Sequence, residues 1–222
     1  MEKSPLILIL LGKSGSGKGT QVELLRDKLN LDFLGTGALL RERKKTEDFS
    51  GLKISSVIDH GGIVPPPVVF KLWMDKFEMF KNGGNFNGMI LDGSPRKLRE
   101  AWLMEDALGW FEWDKNVKVI LIDISDEEAI KRIGKRMICP KCGNIEIISG
   151  DSAGIENCSK CGEELIVRPD DTVQGIKNRL DWFRKEVEET VKFYEERGML
   201  VRINGEQSVE GVSNDIMKEI EK

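Results

Sequence analysis

The stretch "LILILLGKSGSGKGTQ", residues 6–21, restricts the possible folds more than any other part of the chain. Residues 6–11 form a continuous apolar run of strand length, the form expected of a parallel strand covered on both faces. A glycine-rich turn follows, and after it Val22, Leu25 and Leu29 fall at spacings of three and four, which marks one apolar helix face. Strand, glycine turn and helix in that order are the context a phosphate-binding loop requires. The glycines let the backbone curl until successive N–H groups point at one centre, and the helix N-terminus adds its partial positive charge. Lys18 can then lie along the β- and γ-phosphates of a nucleotide. A glycine-rich turn with no ligand is the alternative. The strict pattern has Ser or Thr directly after the lysine, whereas Gly19 intervenes here before Thr20.

Later segments extend this plan. Residues 89–91, 117–124 and 199–203 read as further buried strands. Val173, Ile176, Leu180, Phe183, Val187, Val191 and Tyr194 recur at three and four residues. They predict a long amphipathic helix with Asp170 or Asp171 at its start and Gly198 just past its end. Val209, Val212, Ile216 and Ile220 predict a closing helix. Strands alternating with helices indicate the α/β class. The tryptophans (Trp73, Trp102, Trp110, Trp113, Trp182) lack regular spacing and are expected to pack in the core and at domain junctions. His60, in "IDHGG" beside a turn, is expected on the surface.

Composition excludes several classes. With 222 residues, 32 % charged, 40 % hydrophobic and a net charge of −4, the chain describes an ordinary globular protein with one main domain and insertions. Its longest apolar run is too short to cross a bilayer and its flanks do not fit a signal peptide, which predicts a cytoplasmic protein without a membrane partner. The mild acidity argues against nucleic acid.

All four cysteines lie in "RMICPKCGNIEIISGDSAGIENCSKCG", residues 136–162. Such a cluster can be a disulfide framework, a zinc module that binds nucleic acid, or a zinc clip inside something larger. A reducing compartment favours metal over disulfides. The spacing Cys139-x2-Cys142-x15-Cys158-x2-Cys161 suits tetrahedral Zn2+, with a glycine after each pair to permit a sharp turn. Between residues 137 and 167, Lys141 and Lys160 stand against Glu146, Asp151, Glu156, Glu163 and Glu164, a poor platform for phosphate backbones. Four protein ligands leave no open position, so the expected zinc is structural. It supplies folding energy that a small insertion cannot draw from its own core.

The ordered motifs resemble those of the nucleoside monophosphate kinases, and of the adenylate kinases most closely. Beside the glycine loop, "GTGALLR" (35–41), "GGIVP" (61–65), "MILDGSPR" (89–96), "RIGKRMIC" (132–139) and "RPDD" (168–171) with Arg179 match the family's segments in order along almost the whole chain. The resemblance implies a parallel sheet of the P-loop nucleoside triphosphate hydrolase type, flanked by helices, with two inserted mobile subdomains. A core of 1–35, 76–136 and 172–222 would carry an acceptor-binding insertion at 36–75 and a zinc lid at 137–171. It implies a monomer that catalyses ATP + AMP ⇌ 2 ADP with Mg2+. Gly15, Ser16, Gly17, Lys18, Gly19, Thr20, Arg132, Arg136 and Gln207 would hold ATP. Thr36, Arg41, Ile63, Val64, Gly93, Arg96, Glu100, Arg168 and Arg179 would hold AMP. Lys18, Asp92, Arg96, Arg136, Arg168 and Arg179 would act in catalysis, and Asp170 and Asp171 would help hold the closed lid. Phosphoryl transfer is mostly positioning plus charge neutralisation, for which arginine's rigid, permanently charged fork is suited. Asp92 would orient water on Mg2+; a strand-end carboxylate capping a turn is its alternative.

The acceptor side departs from the family pattern. Ser94 stands where Phe is usual, Glu100 where Gln is usual, Ala38 where Asp is frequent, and Pro66 and Pro67 where acidic residues are common. An ionised Glu100 only accepts hydrogen bonds, whereas glutamine also donates. Facing adenine, that would leave one base atom unmatched, while guanine offers two neighbouring donors. A GMP kinase is therefore the nearest alternative enzyme. An ATP-binding zinc-ribbon adaptor and a P-loop hydrolase are the alternatives of other classes.

Overall fold

A computed structural model describes residues 4–60, 62–147, 156–167 and 171–222. Among the expected site residues, Arg168 lies outside these, as do Gly61 and Asp170 of the matched segments.

The apolar run at the start becomes β1 (Leu6–Leu11), the middle strand of a five-stranded sheet. The strands lie in the order β2 (Asp32–Gly35), β3 (Gly88–Asp92), β1, β4 (Val117–Asp123) and β8 (Leu200–Asn204), every pairing parallel. Side chains alternate across the pleat. Ile7, Ile9 and Leu11 face the larger core, packed under α4 (Pro66–Asn82), α5 (Leu98–Trp110) and α8 (Glu188–Glu196). Leu8 and Leu10 face the other, under α1 (Lys18–Leu29) and α9 (Val209–Ile220). Both faces being covered explains why the strand reads as unbroken apolar sequence. The register sets Leu10 and Gly35 beside Asp92, so the carboxyl ends of β1, β2 and β3 finish at one edge. Open α/β sheets bind ligands in the crevice outside that edge.

Between β2 and β3 run α2 (Thr36–Arg43), α3 (Phe49–Asp59) and α4. Asp48 caps α3 by accepting the Gly51 N–H at 2.8 Å. Pro66 and Pro67 open α4, where a missing N–H is harmless and the fixed φ suits the first turn. Helix α4 runs unbroken through residue 75, the expected border of an insertion, and buries Val69, Trp73 and Phe77 in the main core.

The expected long helix forms, with two differences. Its N-cap is Thr172, whose hydroxyl accepts the Gly175 N–H at 3.0 Å, and not Asp171, whose carboxylate is taken by arginines. It is also interrupted. Helix α7 (Val173–Trp182) gives way to a π turn, Phe183–Val187, before α8. Ile176 and Leu180 pack on Ile124, Ala129 and Ile133, whereas Phe183, Val187, Val191 and Tyr194 join the larger core. The extra residue in the π turn shifts the phase between these two burial sites. Gly198, with φ 66°, ends the helix as expected.

Two tryptophans depart from the expectation. Trp73 and Trp113 are buried, but Trp102 and Trp110 are 51 % and 78 % exposed. Helix α5 turns Ala101, Met104, Ala107 and Leu108 inward, and the 3.6-residue period carries 102 and 110 to the outer face. His60 is exposed, at the end of α3.

Helix α6 (Asp126–Ile133), capped by Ser125, leads into a small antiparallel sheet of β5 (Arg136–Ile138), β6 (Ile145–Ile147) and β7 (Ile166–Val167), in the order β6-β5-β7. Among the described residues, its own core is Met137, Cys139, Cys158 and Leu165. Among the described residues, no helix is long and apolar enough to cross a membrane.

Candidate active site

The loop between β1 and α1 curls as its glycines permit. Gly12 and Gly17 take φ values of 150° and 91°, and a Cβ on Gly12 would stand 2.5 Å from the Ile122 carbonyl. Lys13 ties the loop to the start of α6 through Ile124 O at 2.8 Å and Asp126 at 2.7 Å. Lys18 donates to Gly12 O (2.7 Å), Lys13 O (2.8 Å) and Ser16 Oγ (3.3 Å). Burial pushes the Lys18 ammonium down to about 8. Asp92 opposes that shift, and Arg96 and Arg136 add to it. Gly15, Gly17, Lys18, Gly19 and Thr20 line a cavity of about 270 Å³ with Asp92, Arg96, Arg132 and Arg136 on its other walls.

The basic side chains around it are individually held. Arg132 donates to Glu128 at 2.8 Å and to Gly205 O at 3.0 Å. Arg136 grips Asp171 with two bonds, of 2.7 and 2.6 Å, and Arg179 reaches the same carboxylate at 2.5 Å. Burial would raise the Asp171 carboxyl, but the hydrogen bonds from Arg136 and Arg179 outweigh it and hold the group below the usual carboxylate range. Asp171 is 1 % exposed, so this pairing is a buried one.

A second cavity, about 350 Å³, opens between α2, α4 and α5. Thr36, Ile63, Val64, Glu100, Arg96 and Arg179, six of the residues that the resemblance assigns to one ligand, line it together with Trp182. A buried polar chain forms one wall. Trp73 Nε1 donates to Thr36 Oγ1 at 2.9 Å, the Thr36 and Ser94 hydroxyls meet, and Ser94 Oγ donates to Gly93 O at 2.8 Å. This is how Ser94 is accommodated: it is fully buried, with its hydroxyl bonded on both sides. Glu100 is buried too, and its Oε2 accepts the Arg96 backbone N–H at 2.8 Å. The carboxylate faces inward with one oxygen already engaged.

A third space, about 370 Å³, joins the two, bordered by Lys18, Gly93, Arg96, Arg136, Arg179 and Trp182. Arg96 lines all three. Three expected ligands among the described residues line none of these cavities. Ser16 is buried in the loop, where its hydroxyl accepts from Lys18 at 3.3 Å. Arg41 is exposed and folds back over Gly37, and Gln207 donates to Asn204 O and Asp215, each at 2.9 Å.

The cysteines converge. Their four Sγ atoms lie within 4.8 Å of one another, with Cys139–Cys161 at 3.4 Å and Cys142–Cys158 at 3.6 Å. A tetrahedron with metal–sulfur bonds of about 2.3 Å has edges of about 3.8 Å, so the donor set fits a thiophilic ion. The two hairpin turns repeat each other. Cys139 N–H bonds Asn144 O and Cys158 N–H bonds Glu163 O, while Gly143 and Gly162 turn at φ 75° and 74°. Asn144 is a participant the sequence reading missed; its amide donates to Cys158 Sγ at 3.7 Å. Trp182 was also missed, although its place three residues after Arg179 puts both on one helix face. Ile145 and Ile147, which reach the phosphate-loop cavity from the small sheet, carry no signal beyond a strand's alternation.

Comparison with known proteins agrees on one relationship. A family model described as adenylate kinase matches residues 10–199. An adenylate kinase of Chlamydia trachomatis serovar D is 35 % identical over 227 residues, covering 98 % of this chain and 91 % of the relative. That of Lactobacillus johnsonii is 40 % identical over 217 residues, covering 97 % and 98 %, and that of Chlamydia felis 35 % over 216 residues, covering 97 % and 98 %.

Proposed function

The chain belongs to the adenylate kinase family, and from that premise we propose how its own residues carry the transfer ATP + AMP ⇌ 2 ADP. The observation that carries the assignment is that the three cavities share walls, with Arg96 common to all of them. ATP phosphates lie in the glycine loop, where the N–H groups of 15–20 and the Lys18 ammonium meet them. Binding a polyphosphate there restores the charge that burial takes from Lys18. Arg132 and Arg136 border the donor's side, and AMP enters the cavity of Thr36, Val64 and Glu100 with its phosphate toward Arg96 and Arg179. The two phosphates then meet in the joining space, where the cationic side chains offset the charge of the transferring group. Arg41 and Arg168 belong to the same acceptor set, and Gln207 to the donor set, by the family resemblance alone. Magnesium accompanies ATP in this family, and Asp92, at the end of β3, would hold water on it.

Cys139, Cys142, Cys158 and Cys161 would hold a structural Zn2+ in the lid, since the four sulfurs already sit at near-tetrahedral spacing. We place the subdomain borders near residues 36–75 and 137–171, and the enzyme in the cytoplasm as a monomer. The test is transfer from Mg·ATP to AMP, GMP, CMP and UMP, with ATP alone as the hydrolysis control. AMP should be preferred, and Lys18→Met should lower turnover about 100- to 1000-fold, the scale of losing one preorganised charge contact. Undiminished turnover in that variant would remove Lys18 from the mechanism.

A further inference from the structure

Trp182 belongs to no motif, yet it borders both the acceptor cavity and the joining space. Its ring lies against Arg96, whose guanidinium carbon is 5.3 Å from the ring centroid. The guanidinium is also tied to the chain itself. Arg96 Nε donates to Gly93 O at 2.6 Å, and a Cβ on Gly93 would stand only 2.9 Å from an Arg96 terminal nitrogen. Arg96 is therefore held both by a backbone carbonyl of the Gly93 turn and by an aromatic ring. The indole N–H takes no part in this: it is buried and has no partner among the described residues. An unpartnered buried N–H is a cost that a phenylalanine would avoid. The larger ring gives a stronger face for a cation than phenylalanine does.

We propose that Trp182 is the positioning residue for Arg96: its ring face fixes the guanidinium at the junction of the cavities, ready for the acceptor's phosphate. The fixed geometry matters because a guanidinium grips phosphate through a planar fork, which works only at one orientation. Trp182 comes from the end of α7, just before the π turn, and Arg96 from the loop after β3. The contact thus joins two parts of the core that the sequence sets far apart. The inference rests on the reading that Arg96 meets the acceptor phosphate.

Steady-state kinetics of Trp182→Leu, Trp182→Phe, Arg96→Lys and the double variant Trp182→Leu/Arg96→Lys test it, with melting temperatures recorded for each. Trp182→Leu should raise the KM for AMP about five- to tenfold, with the KM for ATP moving less than twofold, the range of a partly desolvated cation–ring contact. Trp182→Phe, which keeps a ring face, should recover most of the loss. In the Arg96→Lys background, removing Trp182 should add nothing further. An unchanged KM in Trp182→Leu would overturn the proposal, as would equal losses in the Leu and Phe variants. If Trp182→Leu fails to fold, the Phe variant still decides: a KM for AMP raised five- to tenfold in folded Trp182→Phe, which keeps a ring face, would overturn the proposal. Wild-type kinetics in Arg96→Lys alone would instead refute the reading of Arg96, leaving the two failures distinguishable.

Discussion

Arg136 and Asp171 share a two-pronged ion pair, 2.7 and 2.6 Å, at the point where the chain enters and leaves the four-cysteine segment. Asp171 also takes Arg179, so one buried carboxylate orients two arginines that face the joining cavity. Replacing Asp171 with Asn leaves those guanidiniums less opposed, at a cost of about 2 kcal/mol for the lost charged hydrogen bonds. The folded carboxyl lies below its ordinary value, so its contribution is full above the unfolded pKa of about 3.9 and lost as pH falls through the lower folded value. The gap in melting temperature between wild type and Asp171→Asn should be constant from pH 5 to 7 and close below about pH 4. A gap that persists undiminished at pH 3 would contradict this account.

Lys18 supplies a prediction in a higher pH window. Its folded pKa is about 8, against about 10.4 in an unfolded chain, so between those values the unfolded state binds more protons and stability rises with pH. ATP brings negative charge to the ammonium and should restore its proton. Calorimetric titration with ATP near pH 9, in buffers of different ionisation enthalpy, should report uptake approaching one proton, and much less at pH 7. No buffer dependence at the higher pH would mean that Lys18 is already charged in the ligand-free enzyme.

Removal of the metal should act locally. Among the described residues the small sheet rests on a core of four side chains, two of them cysteines, so a bound metal would supply much of what holds it together. Chelation followed by limited proteolysis should cut within residues 137–171 first, while four thiols become titratable and one metal ion per chain is released. Protease resistance equal to that of the untreated enzyme, with the metal verified as gone, would count against a structural role.

Much of this was legible in the sequence because the relevant physics is local. A strand buried on both faces must be continuously apolar, and a phosphate loop must carry glycines before a helix, so β1 and its turn announce themselves. Paired Cys-x-x-Cys turns do the same. What stayed hidden depends on which distant side chain arrives. Nothing near Asp171 reveals that its carboxylate is drawn to Arg136 and Arg179, leaving the capping role to Thr172. The Trp73–Thr36–Ser94 chain joins three elements, and the π turn answers to two separate packing surfaces rather than to its own residues. The exposed Trp102 and Trp110 were unreadable for a different reason, since composition alone does not say which face of α5 meets the core.

Glu100 settles into a geometry that sequence could only frame as alternatives. Its Oε2 is tied to the Arg96 N–H while the residue lines the cavity of Thr36 and Val64, which leaves its other oxygen to meet a base there, and an ionised carboxylate only accepts. Adenine can meet it with its amino group, and guanine with either of two donors. In Glu100→Gln, the amide oxygen should keep the tie to Arg96, because a backbone N–H needs an acceptor. The amide nitrogen then faces the cavity as a donor. Adenine still has a match, its ring nitrogen beside the amino group, whereas guanine's donors meet another donor. The ratio of kcat/KM for AMP to that for GMP should therefore rise about tenfold or more in the variant, the discrimination expected when a buried polar group is left facing its like. An unchanged ratio would show that Glu100 supports the Arg96 backbone and reads no base.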